Sequence, residues 1–163
     1  MTKDPDDIPS RPSTPLTPGD AVAAIILIGK CYLLQHRDAK PEIFFPDHWG
    51  CFGGGVDRGE TGIEALLREL SEELRFSANS ENCVPFTQFD FDFGFAGWGT
   101  IYRRFYALRL PEGAEAGLAL GEGQGMALFD EVTILDGTLR LTPYDSFALW
   151  MHINQPRLQQ RPE

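Results

Sequence analysis

The sequence predicts a protein of mixed α and β structure, and three stretches carry that prediction. Ala21 to Ile28 is an unbroken apolar run, followed by a Gly29-Lys30 turn and by Cys31 to Gln35, which is the pattern of paired strands at a sheet centre. Phe89, Phe91, Phe93 and Phe95 alternate with Asp90, Asp92 and Gly94, the period-2 signature of a half-buried strand. Between them a glycine-rich loop, Gly53-Gly54-Gly55, delivers the chain into an acidic helix that runs to about Phe76. With 163 residues, 42% of them hydrophobic, the chain is expected to form one globular domain over residues 19–154.

Taken in order, residues 1–18 carry Pro5, Pro9, Pro12, Pro15 and Pro18 among Asp, Ser and Thr, and are expected to be a disordered tail. That tail lacks the basic start and apolar run of a secretory signal, and no stretch has the roughly 18 apolar residues of a membrane span. After the first two strands, His36, Arg37, Asp38 and Lys40 open a polar loop that reaches Trp49-Gly50. Arg37 is either a contact for substrate phosphate or a surface arginine. Trp49 is either a core anchor or part of a pocket wall.

Thr61 with Glu64 fits a capping box at the start of the helix, and Ile63, Leu66, Leu67, Leu70 and Leu74 share one flank of it. Ser77 to Asn82 reads as loop, Gly97-Trp98-Gly99 as a turn, and Thr100 to Leu110 as a returning strand. Their aromatic face is either core or a stacking platform. Pro111 to Gly121 is expected to be a flexible loop. Glu122-Gly123-Gln124 precedes the apolar segment Met126 to Phe129, Asp130 to Leu135 makes a helical turn, and Thr142-Pro143 starts a last helix to Ile153. Residues 155–163 are expected to fray.

A formal charge of −10 and the absence of a basic stripe exclude broad binding to a long nucleic acid. Three widely spaced cysteines, Cys31, Cys51 and Cys83, draw neither a disulfide framework nor a zinc site, and read as free thiols of a reducing cytosol.

The chemistry is concentrated in the helix. Glu72 and Glu73 follow Glu69 by three and four positions, so at about 100° per residue the three carboxylates share an arc of roughly 100°. Unscreened, they repel. A solvated charged face is one reading. The other joins them to the glycine loop, whose carbonyls and amides can approach an ion or a phosphate, and gives a hard all-oxygen site suited to Mg²⁺ or Mn²⁺.

The spacing Gly54-x5-Glu60-x7-Arg68-Glu69-Leu70-x-Glu72-Glu73 resembles the Nudix box of the MutT-like Nudix hydrolases, G-x5-E-x7-R-E-U-x-E-E-x-G-U with U aliphatic. Two positions depart: Arg75 replaces the glycine and Phe76 the aliphatic residue. The resemblance implies an α/β/α sandwich with a mixed sheet. It implies that Glu69, Glu72 and Glu73, with a backbone carbonyl taken as that of Gly53, hold Mg²⁺ or Mn²⁺, and that Glu60 and Arg68 form a structural ion pair. Gly54 belongs with the substrate-binding loop. Glu122, in a turn similar to one found in MutT-like relatives, is then a further metal ligand or general base, or else an exposed loop glutamate.

What the resemblance implies for function is metal-assisted hydrolysis of a phosphoanhydride, with Glu69 or Glu122 as the base. The expected substrate is a small nucleoside diphosphate linked to another group, of the nucleotide-sugar or ADP-ribose type. The alternatives are cleavage of ordinary or oxidised (d)NTPs and a catalytically silent nucleotide-binding sensor. A cytoplasmic location, a small nucleotide as partner, no membrane and an allowed homodimer complete the expectation.

Overall fold

The structure is a computed structural model that describes residues 15–160. Most of the proline-rich tail, residues 1–14, lies outside them, as do residues 161–163. Six strands, β1 (Ala21–Ile28), β2 (Cys31–His36), β3 (Trp49–Gly50), β4 (Cys83–Asp92), β5 (Thr100–Leu110) and β6 (Gly125–Phe129), form one sheet in the order β3-β2-β1-β5-β4, with β6 paired to β2. The helices are α1 (Gly62–Leu74), α2 (Glu131–Leu135), α3 (Pro143–Ile153) and α4 (Gln155–Leu158).

The sheet is mixed because β1 turns back antiparallel into β2 through Gly29, at φ 60°, yet runs parallel to β5 from Ala21–Arg103 to Ile28–Leu110. As the central strand it is buried on both faces, which is why its sequence is a continuous apolar run without alternation. Val22, Ala24 and Ile26 meet Leu66, Leu70 and Leu74 of α1 on one face. Ala23, Ile25 and Leu27 meet Ile134 of α2 and Ala148 and Leu149 of α3 on the other, so the architecture is the α/β/α sandwich. Each fully buried leucine contributes about 1.5–3 kcal/mol relative to exposure.

The aromatic strand is displaced from its expected place. β4 begins at Cys83 and ends at Asp92, because the Asp92 carboxylate accepts the Gly94 N–H at 2.7 Å and starts a single 3-10 turn over Gly94–Ala96. Phe93 and Phe95 therefore lie beyond the strand. The loop expected to be flexible, Pro111 to Gly121, is instead tied to the end of α1 through Ala119 N–H to the Leu74 carbonyl (3.1 Å) and Gly121 N–H to the Glu73 carbonyl (2.6 Å). The terminus expected to fray carries α4 over Gln155–Leu158, where Pro156 has no N–H to lose in a first turn.

α1 starts as its sequence predicts, with a capping box in which Thr61 and Glu64 exchange side-chain and backbone hydrogen bonds. Its other end carries strain. Arg75 sits in the left-handed region at φ 52°, ψ 34°, with its N–H on the Leu70 carbonyl, and its side chain is exposed. A non-glycine residue there costs about 1 kcal/mol, and Arg75→Gly removes no packing. This substitution should raise the thermal midpoint by about 2–4 °C; a lower midpoint in a thermal melt would show that the turn is relaxed as it stands.

His152 of α3 gives stability a dependence on pH. It is buried, its Nδ1 lies 2.9 Å from the Tyr32 hydroxyl, and burial first, then the Arg109 charge, depresses its pKa below 6.5. The unfolded chain then binds the proton more readily, so stability is fully present above about pH 6.5 and is lost as pH falls through the folded value. Burial also pushes Tyr32 up to about 12, so its contribution holds below about pH 10 and declines as pH rises from there. Between about pH 7 and pH 5, urea midpoints should fall less for His152→Gln than for the parent; an equal fall would assign the acid loss to carboxylates alone.

Candidate active site

Residues 50–56 leave β3 and run back along the start of β1. Ala24 N–H donates to the Phe52 carbonyl (2.8 Å), Val22 N–H to Gly54 (2.9 Å) and Val56 N–H to Asp20 (2.9 Å). So close an approach requires glycine at residue 53: at φ 142°, a side chain there would run into the Val22 backbone carbonyl, while Gly54 lies directly against the Glu69 carboxylate. The loop is thereby pressed between the central strand and the acidic flank of α1.

Arg68 ties that loop to the helix. Its Nε and Nη2 donate to the two oxygens of Glu60 at 2.9 Å each, Nη2 also donates to the Gly55 carbonyl (2.9 Å), and Nη1 donates to Glu69 (2.8 Å). The expected Glu60–Arg68 pair is therefore present, and it extends to Glu69.

Glu73 is buried and held at both oxygens, by the Gly53 N–H at 2.8 Å and by the Gln35 amide at 3.1 Å. Burial pushes its pKa up to about 7, with the charges of Glu69 and Glu122 adding to the rise and the two hydrogen bonds opposing it. Glu69 is raised too, mainly by burial and against the pull of Arg68. Glu122 stands on the turn before β6, which is fixed by Gln35 donating to the Glu122 carbonyl (3.1 Å) and by Gln124 donating to the carbonyls of His36 and Arg37. Glu72 is different: its side chain is 54% exposed and lies 3.5 Å from Arg68.

Glu69, Glu73, Glu122, Gly53 and Gly54 line one end of a cavity of about 1090 Å³, whereas Glu72 is not part of its wall. Among the described residues no three acidic, histidine or cysteine side chains are already closed into a metal cage. The chemistry of the set nevertheless fits a hard divalent cation: the donors are oxygens, and two of the carboxylates, Glu69 and Glu73, are driven toward protonation by burial and by neighbouring carboxylates, Glu122 among them in both cases. Arg37 also lines the cavity, but its Nε and Nη2 donate to the carbonyls of Phe45 (3.3 Å) and Phe44 (2.9 Å), so it braces the loop over residues 41–48. Trp49 packs on the core and stacks on His36 at 4.7 Å.

The sequence reading missed Gln35, although an amide closing an apolar strand beside the glycine loop was a signal. It also missed Arg103 and Asp145, a buried pair at 2.9 Å whose arginine lines the cavity. Arg103 is in phase with Phe105 on the inward face of β5, and a charge at an inward position was the available sign.

The site is thus an Arg-braced glycine loop set against a row of helix glutamates on a mixed-sheet α/β/α sandwich. A family model described as NUDIX domain matches residues 17–146, and the chain belongs to that family. It is 39% identical over 66 residues to the nucleoside triphosphatase NudI of Salmonella arizonae, a match that covers 40% of this chain and 46% of that relative. The chain thus spans less than half the length of the curated relatives it matches. Among solved structures it superposes on the E. coli dihydroneopterin triphosphate pyrophosphohydrolase with a TM-score of 0.64, at 18% identity over 86% of this chain and 98% of that one. On the Nudix domain of Shewanella oneidensis NrtR complexed with ADP ribose the TM-score is 0.66, at 15% identity over 88% and 90%. At those identities the likeness is one of fold. No described helix is long and apolar enough to cross a membrane.

Proposed function

We propose that the protein hydrolyses the phosphoanhydride of a small nucleoside diphosphate linked to another group, of the nucleotide-sugar or ADP-ribose type. The observation that carries this reading is the cavity, about 1090 Å³, which joins the carboxylates and glycine loop to an aromatic wall. It has room for a diphosphate with a group on either side. Glu69, Glu72, Glu73 and Glu122, with the Gly53 carbonyl, are the residues that would hold Mg²⁺ or Mn²⁺. Bound there, such an ion supplies charge neutralisation and Lewis acidity at the diphosphate.

The chain's own groups do the rest. Gly53 and Gly54 admit the diphosphate close to the backbone. Glu69 or Glu122 takes the proton of the attacking water as its oxygen bonds to phosphorus. The bond from that phosphorus to the bridging oxygen breaks, giving a nucleoside monophosphate and a phosphorylated remainder. Arg68, through Glu60 and Gly55, keeps loop and helix in register.

A second reading, cleavage of (d)NTPs to monophosphate and pyrophosphate, is favoured by the local match to nucleoside triphosphatases. Product analysis with Mg²⁺ separates the two. The first requires kcat/KM to be higher for at least one sugar or ribose diphosphate than for any triphosphate. Pyrophosphate release from a dNTP at a hundredfold greater kcat/KM, about 2.7 kcal/mol of transition-state stabilisation, would replace it with the second. No turnover of any nucleotide with Mg²⁺ or Mn²⁺ would leave a silent binding domain.

A further inference from the structure

The cavity wall away from the carboxylates is aromatic, with Phe89, Phe91 and Phe93, Tyr144 and Phe147 among its residues, and Arg103 is the buried cation set in it. On β4 and β5 Phe89 lies directly opposite Arg103. The guanidinium plane is fixed by the Tyr144 ring, 4.4 Å away, and by Phe105 at 5.4 Å. Of its five N–H groups, the one on Nε and one on Nη2 go to the same oxygen of Asp145, at 3.1 and 2.9 Å. Among the described residues no side chain or carbonyl accepts the others. They are not sealed in the core: Arg103 lines the cavity, and its nitrogens are not among the fully enclosed atoms that lack a partner.

A ligand that covers this edge without supplying an acceptor leaves donors unpaired, which is costly, and the ligand that supplies one is selected. Asp145, fully buried, already neutralises the guanidinium, so this edge favours a neutral acceptor over a second anion. It offers only donors, and therefore repels an edge that carries an amine.

We propose that Arg103 selects the ring of the substrate: a planar base stacks on the aromatic wall and presents the carbonyl at C4 of a pyrimidine or C6 of a purine to the free N–H edge of Arg103. Uracil, thymine, guanine and hypoxanthine carry such a carbonyl at C4 or C6, where cytosine and adenine carry an amine. The proposal rests on the reading of the cavity as a nucleotide site, but its test needs no hydrolysis.

Nucleoside monophosphates are titrated calorimetrically in Mg²⁺ as two matched pairs, UMP with CMP and IMP with AMP, so that ring size and charge are constant within a pair. In the parent protein UMP should bind at least about fivefold tighter than CMP, and IMP at least about fivefold tighter than AMP, the lower end of what a good Arg–base contact discriminates. In Arg103→Met/Asp145→Asn, which removes both charges of the pair, each ratio should fall below twofold. Arg103→Lys keeps the charge beside Asp145 without the planar fork and should also lower the ratios. A ratio below fivefold in the parent overturns the proposal whatever the stability of the variants, as does a ratio that survives in both variants or the failure of all four nucleotides to bind. Loss of hydrolysis on every substrate, with the binding ratios intact, would overturn only the proposed reaction.

Discussion

Replacing Glu73 by glutamine is expected to lower kcat by at least about a hundredfold while leaving the fold intact. The carboxylate is buried and gripped by the Gly53 N–H and the Gln35 amide, and a glutamine of nearly the same volume can still offer one oxygen to Gly53. What disappears is the charge that burial and the neighbouring Glu69 and Glu122 make costly to keep. Stability without divalent cations should therefore be unchanged or slightly higher. Activity should suffer because the site loses the one carboxylate that is both positioned at two oxygens and on the cavity wall. Glu69→Gln should match it. Glu72→Gln should cost less, since Glu72 is exposed and off that wall. Near-parental kcat for Glu73→Gln at saturating Mg²⁺, alongside an unchanged thermal melt, would show that this helix does not carry the chemistry.

The parts of this site that were legible in the sequence are those whose contacts are local. The Thr61–Glu64 capping box and the glutamates of α1 lie within one helix, and Arg68 reaches Glu60 only eight residues away. Fixed spacing therefore encodes the geometry. The left-handed Arg75 was equally legible, because a helix end asks for that conformation wherever glycine would stand. Gln35 holds Glu73 across 38 residues and Glu122 across 87, and Asp145 reaches Arg103 across 42 and Cys51 across 94. No local pattern records such partners. The limits of β4 failed for a related reason: period-2 alternation continues past Asp92, but a side-chain hydrogen bond to Gly94 ends the ladder there. Arg37 was half legible, since its place beside the cavity followed from chain order but its commitment to the Phe44 and Phe45 carbonyls did not.

The largest stability loss is expected at Asp145. Fully buried in α3, it accepts two N–H groups of Arg103 from β5 on one oxygen and the Cys51 N–H on the other (2.9 Å), so it joins a helix, a strand and the segment leading into the glycine loop. Gly50 lets it approach: a Cβ there would meet the Asp145 carboxylate at 2.6 Å. Asp145→Ala leaves a buried guanidinium without its counter-ion and a backbone donor without an acceptor, which should cost about 3–5 kcal/mol. Chemical denaturation measures the loss directly. A surface ion pair of the same length would contribute about 1 kcal/mol or less, so the size of the effect distinguishes a buried tie from an incidental one. Removing both charges should hurt less than the sum of its parts, because Arg103→Met/Asp145→Asn strands no ion and keeps an oxygen for Cys51. A double-mutant cycle built on Arg103→Met and Asp145→Asn should therefore show a coupling of more than about 1 kcal/mol. If the two substitutions simply add, the pair does not act as a unit, and the fixed guanidinium edge at the aromatic wall loses its support.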